Sequence, residues 1–209
     1  MSDTVDPCDE SALRALYPAP SRLAIVKQID RLDEHCRRFI SMSPFLVIGS
    51  TRPDRGTDVS PRGDAPGFVR VLDDRTLAIP DRPGNNRLDT MSNLLAEAQV
   101  GLLFMVPGLE ETLRINGTAS LSRDPQLLEG SIVMGKLPRM MILVAAREVF
   151  YHCGKAIKRA RLWQEDYRVD PKSVPSLGRV IVEQARLERS MSVEEADAAV
   201  ERSYKQNLY

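Results

Sequence analysis

The sequence predicts an α+β domain, a small β-barrel flanked by helical segments at both ends. Three observations predict it. Short runs rich in β-branched and aromatic residues follow one another from residue 44 to residue 121, separated by tight turns. One helical segment interrupts them, about Leu88 to Glu97. Helical patterning dominates before residue 43 and after residue 165. The chain thus divides into an N-terminal helical extension (1–43), a barrel domain (44–165) and a C-terminal helical extension (166–209).

In the first zone Leu23, Val26, Ile29 and Leu32 recur at three-residue spacing, and Cys36, Phe39 and Ile40 extend the same face. Ser21 is placed to cap this helix. In the second zone Phe45-Leu46-Val47-Ile48-Gly49 reads as a strand between Pro44 and the turn-like Arg52-Pro53-Asp54-Arg55-Gly56. Further extended pieces are Thr57 to Ser60, Phe68 to Leu72, Thr76 to Ile79, Val100 to Val106 and Thr112 to Leu121. The third zone holds a short helix near Pro125 to Glu129, a strand from about Met140 to Phe150 and a basic helical stretch from Cys153 to Trp163. Ser192 and Glu195 form a capping box that opens a last helix.

Bulk properties narrow the function classes. The 209 residues carry 29 basic and 29 acidic side chains, so no electrostatic footprint for nucleic acid or an anionic membrane is expected. No apolar run approaches the roughly 18 residues of a membrane span. The segment from Met1 to Glu10 is acidic and polar, unlike a secretory signal. Cys8, Cys36 and Cys153 are odd in number and far apart, which suits neither a metal cluster nor a disulfide framework. The expected setting is the reducing cytoplasm.

The chemistry concentrates between Arg52 and Arg87, where seven arginines occur without one lysine. A guanidinium is a planar fork that meets a phosphate bidentately. The nearby Asp54, Asp58, Asp64, Asp73, Asp74 and Asp81 offer the other reading, ion pairs on a solvated surface. Ser60-Pro61-Arg62-Gly63-Asp64 reads as a loop that fixes polar side chains, or as a decorated turn. In the run from Ile79 to Leu88 a strand ends, a turn follows and a helix begins, with Asn86 as the expected cap. Arg82 and Arg87 flank this helix start, whose free N–H groups make it a natural phosphate site. A third, basic patch runs from Tyr151 through His152, Lys155 and Lys158 to Trp163, which either stacks on a ring or fills the core.

These strings together resemble the FMN-binding, pyridoxamine 5'-phosphate-oxidase-related proteins. The likeness spans about Phe45 to Trp163 and rests on DVSPRGDAPGFVRVLDDRTLAIPDRPGNNRLDTMSNLL, VGLLFMVPG, ETLRINGTASLS and FYHCGKAIKRARLW. It implies a six-stranded split barrel that pairs as a homodimer, with FMN in the cleft between subunits and a small-molecule substrate. It places the FMN phosphate near Arg62, Arg82, Asn86 and Arg87. It lays the ring along Ser60 and Pro61, with Thr112, Arg114, Lys155 and Trp163 as further contacts. The family's Ser-Arg-Lys junction is here Asn85, Asn86 and Arg87, and the oxidase's C-terminal Trp and Arg signature has no counterpart. The activity so implied is an FMN-dependent oxidoreductase. The alternatives are a flavin carrier or sensor without turnover, or a haem- or deazaflavin-binding relative.

Overall fold

The computed structural model describes residues 9–187 and 189–209; Cys8 lies outside the described residues. Three short helices open the chain, α1 (Glu10–Ala15), α2 (Arg22–Val26) and α3 (Glu34–Met42). The single long helix expected here is interrupted between residues 27 and 33. Ile29 exchanges both backbone hydrogen bonds with Val149, at 2.9 and 2.8 Å, and so serves as a one-residue strand. The apolar stripe divides accordingly. Leu32, Cys36, Phe39 and Ile40 are buried, whereas Leu23 and Val26 face outward. Ser21 does cap α2, accepting from Ala24 N–H at 3.2 Å.

Seven strands follow: β1 (Phe45–Arg52), β2 (Gly56–Gly63), β3 (Arg70–Val71), β4 (Thr76–Pro80), β5 (Gln99–Met105), β6 (Thr112–Ser122) and β7 (Met141–His152). They form one antiparallel sheet in the order β2-β1-β5-β6-β7-β4-β3. This corrects the expected six-stranded split barrel. Among the described residues the sheet has seven strands and two free edges, and no pairing joins β2 to β3 to close it. The edges explain why. β3 is only two residues long, and β2 contains Pro61, which has no N–H to donate to a further strand.

Strict alternation gives the sheet two unlike faces. One carries Leu46, Ile48, Leu102, Phe104, Leu113, Ile115, Ile142 and Val144, all essentially without exposure, and packs against α3 residues and Leu94. Burying such side chains stabilises the fold by about 1.5–3 kcal/mol each. The opposite face carries Phe45, Val47, Leu103, Met105, Arg114 and Phe150, which stay partly exposed. At Gly117 the β6–β7 register shifts, and an added Cβ would fall 2.0 Å from the Ala145 carbonyl oxygen. Only glycine fits there.

The remaining helices are α4 (Asp89–Ala96), α5 (Pro125–Glu129), α6 (Lys155–Ala160), α7 (Leu177–Gln184) and α8 (Val193–Gln206). The last opens on the expected capping box: Ser192 and Glu195 satisfy each other's backbone N–H groups at 3.1 and 2.8 Å. Asp197 of α8 ties α7 to it, accepting from Ser176 Oγ at 2.7 Å and Gly178 N–H at 3.0 Å. Among the described residues no helix is long and apolar enough to cross a membrane.

Candidate functional site

Ser60, Pro61 and Arg62 do not form the expected loop. They are the second half of edge strand β2, paired with β1 at Ile48, Val47 and Leu46. Pairing with Leu46 puts Arg62 in a row that runs onto the buried face. Its Nη1 donates to Asp81 at 3.2 Å, while its Nε is buried and has no acceptor. Burial holds the Asp81 carboxyl above the ordinary carboxylate range, and the neighbouring Arg62 only partly offsets it.

Arg82 lies beside this pair. Its Nε donates to Asp64 at 2.6 Å and its Nη1 to the Ser131 carbonyl at 2.9 Å. Asp64 also accepts from Ala65 N–H at 2.7 Å and from the Tyr209 hydroxyl at 2.8 Å. Burial works to raise the Asp64 pKa, but these donors outweigh it and the group stays below its ordinary value. The Ser131 hydroxyl is a second buried group here without a partner. Paired cations thus stand next to two buried polar atoms that no group of the chain satisfies.

The strand-turn-helix junction is built differently from the expectation. Leu88, not Asn86, is the cap of α4, and both have left-handed backbones, with φ of 59° and 57°. The cap provides no side-chain hydrogen bond, so the first N–H groups of α4 are left to other partners. Asn86 is displaced because the turn closes one step later, where Asn85 Oδ1 accepts from Arg87 N–H at 3.0 Å. Arg87 and Arg55 both reach Asp89 in the first turn, at 2.7 and 3.1 Å. Hydrogen bonding from Arg87, with Arg55 behind it, holds the Asp89 carboxyl below its ordinary range. Both guanidinium groups remain largely exposed and have donors to spare.

The other four expected contacts lie elsewhere. Arg114 pairs with Leu103 and Phe150, in the row that crosses the sheet through Val47 and Pro61 on the opposite face from Arg62. Its guanidinium carbon is 5.0 Å from the Phe150 ring centre. Thr112 is buried next to it. Lys155 is exposed at the start of α6, and Trp163 Nε1 donates to the Leu109 carbonyl at 2.7 Å. Within one chain, therefore, Ser60, Arg62, Arg82 and Arg87 gather around β2 and α4, and Arg114 lies on the reverse side of the sheet.

The seven arginines largely follow the ion-pair reading. Six of them reach a carboxylate; Arg70 instead donates to the Leu127 carbonyl at 3.3 Å. Of the aspartates proposed as partners, Asp54, Asp64 and Asp81 are used, and Asp30 and Asp89 supply the rest. Arg55, Asp89, Ser131 and Tyr209 escaped the sequence reading as site residues. Arg55 lay within the lysine-free stretch, a usable signal; Tyr209 is 145 residues from Asp64 and gave none.

A family model described as pyridoxamine 5'-phosphate oxidase matches residues 32–153, more than half of the chain. The chain belongs to the pyridoxamine 5'-phosphate oxidase family. The matched region runs from Leu32, ahead of α3, through β7 and includes every arginine between Arg52 and Arg87. No curated protein matches the chain. Solved structures that align with the chain include HupZ of Group A Streptococcus, at 11% identity and a TM-score of 0.47 over 57% of this chain and 92% of that one. An FAD binding protein of Mycobacterium smegmatis aligns at 17% identity and 0.41, covering 59% and 97%. HutZ, the heme storage protein of Vibrio cholerae, aligns at 14% and 0.40, covering 59% and 94%.

Proposed function

We propose that this member of the pyridoxamine 5'-phosphate oxidase family binds FMN between two copies of the chain. The observations that carry the reading are the buried, acceptorless Nε of Arg62 on β2 and, where the same strand meets α4 through Asp58 and Thr90, a helix start that has no side-chain cap. Arg55 and Arg87 would hold the phosphate at the α4 N-terminus, where backbone donors and the helix dipole favour an anion. Arg62 and Ser131 would meet polar atoms of the flavin. Arg82, anchored by Asp64, keeps the segment after β4 in place against them. Bound there, the flavin supplies two-electron redox chemistry, and the protein supplies position and hydrogen bonds.

The same geometry supports a homodimer. The half-exposed Phe45, Val47, Leu103 and Met105, together with Val59 on the edge strand, form an apolar surface in need of a cover. A partner laid over it would bring its own Arg114 side towards this chain's edge strand. Two expected groups of contacts that one chain keeps on opposite faces would then line one cleft.

An FMN-dependent oxidoreductase of the family's class, acting on a small substrate, is the activity this reading implies, and a flavin carrier without turnover is its competitor. Titration with FMN and the mass in solution decide the binding step. A yellow dimer of 23.4 kDa chains is expected. Replacing Arg55 and Arg87 together by Gln should weaken FMN by roughly ten- to hundredfold, the loss of one or two charge-assisted contacts. A monomer that takes up no FMN defeats the proposal. Anaerobic bleaching by a nicotinamide cofactor and reoxidation by one acceptor separates enzyme from carrier.

A further inference from the structure

We propose that α7 and α8 form a hinged lid, latched by Tyr209 across the place where Arg62 Nε and the Ser131 hydroxyl lie without partners. The two helices move as one body. Val182 of α7 and Ala196 of α8 are buried, yet neither belongs to the core of the sheet. A Cβ on Gly178 would fall 2.3 Å from Asp197 Oδ1, so the helices meet there without a gap, and Asp197 bonds both Ser176 and Gly178. The linker to this body is exposed at every residue from Gln164 to Ser176. It holds Pro171, Pro175 and two single turns of 3-10 helix, Glu165–Tyr167 and Pro171–Ser173. From Arg168 to Leu208, among the described residues, no hydrogen bond or ion pair reaches the sheet. A rigid pair on an unsupported linker is built to swing as a hinge.

Tyr209, three residues past α8, fastens the swinging end at two points. Its hydroxyl donates to Asp64 Oδ1 at 2.8 Å, just after β2, and its carbonyl accepts from Lys136 Nζ at 2.5 Å, in the turn between α5 and β7. Arg82 joins the same two segments from inside, through Asp64 and the Ser131 carbonyl. Tyr209 therefore spans the two walls that Arg82 bridges, and the unsatisfied Ser131 hydroxyl belongs to one of them. The hydroxyl keeps its proton, because the bond to Asp64 holds the Tyr209 pKa above its ordinary value. Asp64 keeps its other donors, Ala65 N–H and Arg82, when the latch lets go, so opening leaves the ion pair intact. Two hydrogen bonds hold a lid shut with on the order of one molecule in a hundred open. Neither Asp64 nor Lys136 is a group assigned to FMN, so the lid can close over an empty or a filled site. It then slows entry and exit alike. The effect on FMN rests on the reading above; the latch itself does not.

Tyr209→Phe removes the hydroxyl and nothing else, and two measurements on the full chain test it. Hydrogen exchange of the ligand-free protein should run about tenfold faster in peptides from α7, α8 and residues 131–136, and be unchanged in β5 and β6. Lys136→Met should act in the same direction. Stopped-flow flavin fluorescence should show FMN entering and leaving Y209F about tenfold faster, with Kd within about twofold of the parent, because a gate scales both rates together. Exchange that Y209F leaves unchanged overturns the proposal, and so does exchange that quickens equally in β5 and β6, which would make Tyr209 a general support of the fold. Faster FMN release with unchanged entry also overturns it, since that marks a direct contact with the ligand. A chain that takes up no FMN defeats the FMN reading alone, and the exchange result on that same chain still decides the latch.

Discussion

Around β2 and α4 each cation leans on an acid, whereas at the β6–β7 end Lys27 and Arg114 share a phenyl ring and no carboxylate. The two regions show what burial does to charge. Arg82 and Asp64 are deep enough that either charge left without its partner would be costly, with side-chain exposures of 14% and 1%. Pairing is a condition of their burial. Lys27 stays in water, where its charge needs no partner. Where burial would penalise a lone charge the fold supplies a partner, and where water solvates the charge it does not.

The largest effect should separate the regions by stability. Asp64→Ala strips Arg82 of its carboxylate and should cost about 3 kcal/mol. Arg114→Ala breaks no ion pair and should cost less than about 1 kcal/mol. Urea unfolding midpoints compare them, and equal losses would erase the distinction.

A smaller effect concerns pH. The folded state holds the His152 pKa below its ordinary value, through burial first and then Arg114 and Lys27. The unfolded chain therefore binds that proton more readily. The stability contributed by the neutral imidazole is fully present above about pH 6.5 and is lost as the pH falls through that value and the lower folded one. Thermal melts between neutral and mildly acidic pH should show a decline that His152→Gln reduces, and an unchanged slope would count against the unpaired-cation picture.

The smallest effect lies in the backbone at the start of α4. Leu88 has a left-handed conformation while more than half exposed, an arrangement that disfavours a branched side chain. Leu88→Gly should leave stability unchanged or raise it by up to about 1 kcal/mol, against the usual penalty for glycine. A clear loss in the melting curve would show that Leu88 packing outweighs its strain.

Much of the scaffold was legible in the chain itself. Short apolar runs between turn residues marked the strands β1, β4, β5, β6 and β7 to within a few residues, and Ser192 with Glu195 announced α8. These signals are local: a strand repeats every second residue, and a cap is complete within four. The family likeness was legible too, since its strings lie within residues 32–153.

Tertiary structure alone decided the rest, because it depends on which distant segments meet. The sheet stays open because β2 and β3 end as poor edges, and no periodicity reports that. The run from Ser60 to Gly63, rich in turn residues, becomes strand because β1 offers it a ladder. Arg55 and Asp89 are 34 residues apart and Arg62 and Asp81 are 19 apart, so their pairing awaited the fold. Lys27 reaches Phe150 because Ile29 pairs with Val149, on the part of β7 that extends beyond β4. Composition determines how many cations there are, and three-dimensional proximity decides which of them acids neutralise.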